Sequence, residues 1–294
     1  LSEKNAKTVV LAHQADPLDY QNFTTLKQHG EMLSELVGKP VRYIEDVAGP
    51  TALEAIKNLK EGEILLLENI RIYTEETVIF EKQVQLTAEQ QAKTRMVKKL
   101  APLADVYLCD AFACVHRSEP SLVGFPEVLP SGAGRLFEEE VRVLTKVTQD
   151  PKRPCVFVLG GAKILDAFNM MESALENGTA DKVLTTGLVG QVMLQAAGVS
   201  LGSGNEEFIV NKKLDQFVDT GKKILEAYSD KVVYPQDVGV DMNSKREEIN
   251  ISSLPTDGLI KDIGAETVKQ YAEIISQAST VFANGPAGVY EQEN

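Results

Sequence analysis

Short apolar runs alternate with helical patterns along almost the whole chain, and this rhythm limits the possible folds more than any other feature of the sequence. In the first half, strand-like runs lie at 8–12, 41–44, 64–67 and 105–108. Helical periodicity falls between them, from Thr25 to about Leu36, from Pro50 to Leu59, and from about Thr87 to Leu103. Pro50 suits a helix start, where its missing N–H is not needed. Ile64-Leu65-Leu66-Leu67 shows no polar alternation, as expected of a strand covered on both faces. Pro126, Pro130, Gly132 and Gly134 interrupt the pattern, and a charged helix follows from Phe137 to Val147, ending at Asp150-Pro151. A second series then begins, with strands at 155–159, 182–186, 231–234 and 279–283 and helices near 163–176, 189–197, 211–228 and 264–277.

A βαβα order of this kind predicts parallel sheets between helices. The fold class expected is therefore α/β, with two Rossmann-like three-layer αβα domains containing parallel sheets, joined by a helix across a cleft. The expected boundaries are 1–135 for the first domain, 136–153 for the interdomain helix and hinge, and 154–294 for the second domain. A chain of 294 residues is long enough for two such cores.

The formal charge of -13, from 30 Lys and Arg against 43 Asp and Glu, argues against a nucleic-acid or anionic-membrane binder. Any anionic ligand must be held by a local basic cluster within an acidic shell. No apolar run reaches the length of a membrane helix, and no signal-peptide pattern opens the sequence. Cys109, Cys114 and Cys155 are odd in number and form no CxxC pair, which favours a reducing, cytoplasmic setting over a disulfide framework or zinc site. No heptad seam marks an oligomer interface.

The chemistry concentrates at strand ends. Val156-Phe157-Val158-Leu159 runs into Gly160-Gly161-Ala162-Lys163 and then a helix. Paired glycines allow a tight turn and close approach to a ligand, and the lysine adds a mobile positive charge. This suits a phosphate site at a strand–loop–helix junction, although two glycines before a helix also make an ordinary turn. The Walker spacing is absent. Thr186-Gly187-Leu188 and Asn284-Gly285-Pro286 occupy corresponding positions. In the first half, His13, Arg71 and His116-Arg117 follow three strands. Carboxyl ends of parallel strands converge on one crevice, so these groups can share an anion site, or each can be a surface or capping residue.

Leu66-Leu67-Glu68-Asn69-Ile70-Arg71, Asp110-Ala111-Phe112 with His116-Arg117, Leu159-Gly160-Gly161-Ala162-Lys163, and Asn284-Gly285-Pro286-Ala287-Gly288-Val289-Tyr290-Glu291 closely resemble the phosphoglycerate kinase family. The resemblance covers the chain in order. His13-Gln14 and the segment Arg117 to Phe125 look most like the archaeal-type branch. The resemblance implies reversible transfer of the ATP γ-phosphate to the carboxylate of 3-phosphoglycerate, giving ADP and 1,3-bisphosphoglycerate, with Mg2+ bound mainly through the nucleotide phosphates. It implies that His13, Arg71 and Arg117 hold the phosphoglycerate and that Lys163 serves the nucleotide phosphates and the group in transit. It implies nucleotide contacts at Gly160, Gly161, Gly187 and Asn284, with Glu291 on the ribose. No general base is needed, because the acceptor carboxylate is already an anion near neutral pH. Catalysis then consists of positioning and charge neutralisation, with closure of the two domains over the reactants.

Several residues depart from the family pattern. Asp16 stands where many members carry an arginine after the histidine, and Ala167 where many carry a second lysine. The family's first strand and its terminal glycine-rich loop are expected outside Leu1 and Asn294. These departures keep two alternatives open, a non-catalytic nucleotide-binding relative and a kinase of another small carboxylic acid. His29, Cys109 and Cys114 read as packed or surface residues. No residue set reads as a protein metal site, and Asp237 is the one carboxylate considered for assisting the metal.

Overall fold

The computed structural model describes residues 1–291, which divide into two compact units, Leu1–Val141 and one beginning at Arg142. In the first unit β1 (Thr8–Val10), α1 (Lys27–Val37), β2 (Val41–Ile44), α2 (Pro50–Lys57) and β3 (Ile64–Leu67) form a parallel sheet of order β1-β3-β2 with its helices. β3 is central, pairing Val9 with Leu65 and Tyr43 with Leu66. All four of its residues are buried, which explains the unbroken apolar run. Leu65 and Leu67 join Ala52 and Ala55 of α2 in the core. On the opposite face Leu66 meets α1, where a Cβ added at Gly30 would lie 3.4 Å from the Leu66 side chain.

The single long helix expected at 87–103 is broken. α3 (Val78–Val84) precedes it, then α4 (Ala88–Gln91), α5 (Arg95–Leu100) and a 3₁₀ turn Ala101–Leu103. Thr87 closes a capping box with Gln90, and the Thr94 hydroxyl donates to the Gln91 carbonyl at 2.7 Å. Threonine hydroxyls compete for backbone groups and so favour helix ends over interiors. β4 (Tyr107–Cys109) and β5 (Ser131–Ala133) pair in parallel, and α6 (Arg135–Gln149) follows. Asp110 caps α6 by accepting from the Phe137 amide at 2.9 Å. The division between units falls within α6.

The second unit holds a four-stranded parallel sheet of order β12-β6-β7-β8. It runs through β6 (Cys155–Leu159), α7 (Ile164–Glu176), β7 (Lys182–Thr185), α8 (Gly187–Ala196), α9 (Ser203–Asn211), α10 (Val218–Tyr228) and β8 (Val232–Val233). A second, antiparallel sheet of order β10-β9-β11 is built from β9 (Asp237–Met242), β10 (Lys245–Asn250) and β11 (Leu259–Ile263), before α11 (Ala265–Ser276) and β12 (Thr280–Asn284). The parallel sheet is covered on both faces. Phe157 and Val183 pack with Phe168 and Met193, while Val156 and Leu184 pack with Tyr271. The Tyr271 hydroxyl donates to the Thr185 and Val233 carbonyls at 2.9 and 3.0 Å.

Neither the antiparallel sheet nor α9 was among the elements expected from the sequence. The β9–β10 hairpin turns on Asn243 and Ser244, both at positive φ, the geometry of a two-residue primed turn. β10 is polar, and ion pairs of Arg246 with Glu248 and Asp262 hold its face in place of apolar burial. Among the described residues no helix is long and apolar enough to cross a membrane.

Candidate functional site

In the first unit, Asn69 fixes the loop that follows β1. Its amide nitrogen donates to the carbonyls of Gln14 (2.9 Å) and Thr24 (3.1 Å), and its side-chain oxygen accepts from the Gln14 and Arg71 amides. Glu68 braces the same corner, accepting from the Leu26 and Asn69 amides and from the Tyr43 hydroxyl. The loop so placed carries His13, whose Nε2 lies 3.7 Å from Cys114 Sγ. Burial, followed by the charges of Arg71 and Arg117, lowers the His13 pKa to about 4. His13 is therefore neutral at physiological pH, and His13, Arg71 and Arg117 belong to one electrostatic cluster.

The two arginines are held differently. Arg71 is buried, with Nε donating to the Glu76 carbonyl at 3.2 Å, one terminal nitrogen to the Ala15 carbonyl at 2.5 Å, and the other to Glu119 at 3.2 Å. Glu119 is fully buried, and among the described residues its second oxygen has no hydrogen-bond partner. Burial raises the Glu119 pKa against the pull of Arg71. Asp16, the unexpected carboxylate, is turned to structural use: it accepts from the Leu18 and Val78 amides and lies 4.0 Å from Arg71. Arg117 pairs with Glu81 of α3 at 3.1 Å, and Glu81 also accepts from the Ser118 amide at 2.6 Å. His116 is exposed. The supporting roles of Glu76, Glu81 and Glu119 carry no local sequence signal, because their partners lie more than thirty positions away in all three cases; the Glu75-Glu76 pair reads at most as a rejected metal feature.

In the second unit, Gly160, Gly161, Gly187 and Asn284 meet at the carboxyl ends of neighbouring strands. The Gly160 amide donates to the Asn284 carbonyl (2.8 Å), the Gly161 amide to Pro286 (2.9 Å), and the Thr186 amide to Leu159 (2.8 Å). Gly161 has φ +77°, and a Cβ there would lie 3.0 Å from Pro286 Cδ. At Gly187, φ is +53° and an added Cβ would lie 3.0 Å from the Pro286 carbonyl oxygen. These glycines let three loops press together at one sheet edge, where a larger residue would separate them. Lys163 is exposed at the start of α7 and, among the described residues, its ammonium group has no hydrogen bond or ion pair. Asn284 and Glu291 are also exposed.

Asp237 is not available to a metal. It is buried, with one oxygen accepting from the Glu266 amide (2.9 Å) and the other from the Thr267 amide (2.7 Å) and hydroxyl (2.5 Å), so it caps α11. Among the described residues no three His, Cys, Asp or Glu side chains group as a metal site.

The family profile described as Phosphoglycerate kinase matches residues 1–294. The chain belongs to the phosphoglycerate kinase family. It is 49% identical over 293 residues to the Methanobacterium bryantii phosphoglycerate kinase, a match that covers 100% of this chain and 70% of the relative. For the Methanothermus fervidus phosphoglycerate kinase the identity is 45% over 293 residues, with the same coverage. The crystal structure of phosphoglycerate kinase from Pyrococcus horikoshii OT3 superposes with a TM-score of 0.92 at 40% identity, covering 100% of this chain and 72% of that one. Family membership makes the protein a phosphotransferase and accounts for paired α/β units in which one carries basic side chains at its strand ends and the other carries glycine loops.

Proposed function

We propose that the protein catalyses reversible transfer of the ATP γ-phosphoryl group to the carboxylate of 3-phosphoglycerate, giving ADP and 1,3-bisphosphoglycerate. The family match along residues 1–294 carries this reading. A carboxylate oxygen attacks the γ-phosphorus as its bond to the ADP oxygen breaks. The acceptor is already ionised, so no proton is removed and neutral His13 serves as a hydrogen-bonding group rather than a base. Arg117 and His13 hold the acid. Arg71, with three N–H donors engaged by the protein, supports it chiefly through charge.

On the nucleotide side, the Cβ-free loops at 160–161 and 187 give the phosphates a close approach to the backbone and to the start of α8, with Asn284 and Glu291 towards the nucleoside. Lys163, whose ammonium has no partner among the described residues, follows the migrating group and neutralises its developing charge. The residues present fit a metal that arrives with its nucleotide, since Asp237 is engaged as a helix cap and, among the described residues, no three His, Cys, Asp or Glu side chains group as a cage. Mg2+ bound through the ATP phosphates supplies charge neutralisation and orientation of those phosphates. Three free thiols fit a cytoplasmic setting.

The test is ATP-dependent phosphorylation of 3-phosphoglycerate by the full-length chain, with Lys163→Ala alongside. We expect turnover by the wild type and a loss of about 10²–10³-fold in kcat for the variant. No turnover by the wild type would refute the function, and full-rate turnover by the variant would remove Lys163 from the mechanism.

A further inference from the structure

A guanidinium beside a backbone amide is a seat for carboxylate or phosphate oxygens. Arg117 and the Ser118 amide form such a seat, and the chain's own Glu81 occupies it, at 3.1 Å from Arg117 and 2.6 Å from the Ser118 nitrogen. Both side chains of the pair remain partly open to solvent, at 24% and 19% exposure, whereas the Arg71–Glu119 pair is sealed at 7% and 0%. Opening the sealed pair would strand a desolvated charge, but water can receive either partner of the open one. The occupied seat borders a cavity of about 460 Å3 whose wall also carries Lys82 and His116, a volume and charge suited to a small polyanion. Glu81 sits on α3, a seven-residue helix with no buried residue, so little packing opposes its withdrawal.

We propose that Glu81 is a resident competitor for the substrate: the acid reaches Arg117 by displacing the Glu81 carboxylate, and Glu81 thereby sets substrate affinity and rejects anions too weak to displace it. The inference rests on the reading of Arg117 as a ligand of the acid.

Glu81→Gln keeps an acceptor for the Ser118 amide and removes the competing charge. It should lower the KM for 3-phosphoglycerate by about two- to fivefold, the range set by partly exposed ion pairs, with the KM for ATP unchanged. In an Arg117→Ala background the same substitution should give no further gain. An unchanged or raised KM for 3-phosphoglycerate in Glu81→Gln would overturn the inference and leave Glu81 as a structural clamp. If Arg117→Ala alone leaves that KM unchanged, the underlying reading of Arg117 fails and the inference falls with it. A crystal structure of the full-length wild type with 3-phosphoglycerate tests the same point without a variant. The Glu81–Arg117 pair should be broken and the substrate should occupy the Ser118 amide; a retained pair beside bound substrate would overturn the inference.

Discussion

Glu76 gives the acid-side cluster a stability that depends on pH in an unusual direction. The side chain is fully buried, and its carboxyl is bonded by the Ser121 amide at 2.8 Å and the Ser121 hydroxyl at 2.7 Å. Its own carbonyl accepts from Arg71 Nε. Burial raises its pKa from an ordinary 4.5 to about 8; the two Ser121 bonds oppose the rise and the nearby Glu119 and Glu75 charges assist it. The folded protein therefore keeps a proton that the unfolded chain has already released, so unfolding liberates a proton and stability falls as pH rises. His13 acts in the opposite sense, with stability lost as pH drops below its ordinary 6.5 towards about 4. From pH 6.5 to 8.0 folded His13 stays neutral while the unfolded imidazole loses its remaining half charge, a rise of only about 0.4 kcal/mol that is the same in the wild type and in a Glu76→Gln variant. Over that window the Glu76 contribution should fall by about 1.5–2 kcal/mol, at 1.36 kcal/mol per unit less the partial ionisation near its pKa. Glu76→Gln preserves the acceptor and cannot titrate. Urea unfolding of the full-length wild type and of the variant at pH 6.5, 7.25 and 8.0, read as the difference between them, isolates the effect from other groups. The variant should gain on the wild type across the series. Parallel stability profiles would refute the assignment of a buried, protonated Glu76.

Two further substitutions separate structural from functional roles. Gly161→Ala places a methyl group at φ +77°, 3.0 Å from Pro286 Cδ. The strain should cost about 1–2 kcal/mol and raise the KM for ATP while leaving that for 3-phosphoglycerate unaltered; steady-state kinetics with each substrate varied would show equal effects if the loop were only a turn. Asp237→Ala should lower stability by about 0.5–2 kcal/mol through loss of the α11 cap. The Mg2+ dependence of its rate should match the wild type, and a displaced Mg2+ requirement would instead put Asp237 at the metal.

What could be read from the sequence follows from which signals are local. β3 and β6 were legible because strands covered on both faces carry uninterrupted apolar runs, and the tight turn at Gly160-Gly161 because paired glycines follow a strand directly. β10 was not, since Lys245-Arg246-Glu247-Glu248 has no apolar alternation and is held by an ion pair within the strand, Arg246–Glu248, and one to Asp262 of β11. The segment 87–103 reads as one helix by periodicity, while Thr87 and Thr94 divide it through hydrogen bonds that periodicity does not register. The carboxylates that partner the arginines were equally hidden. Asp16 looked like a liability at an anion site, yet two backbone amides engage it, and the groups that do sit on the arginines, Glu81 and Glu119, are unremarked in their local sequence.

The central claim is that the basic cluster of the first unit binds the acid and takes no part in holding the nucleotide. Calorimetric titration of full-length Arg117→Ala with each substrate separately tests it most directly. The affinity for 3-phosphoglycerate should fall by about 10- to 150-fold, the equivalent of one charge-assisted hydrogen bond, with ATP affinity within twofold of the wild type. Unchanged binding of 3-phosphoglycerate, or an equal loss for both ligands, would contradict the account.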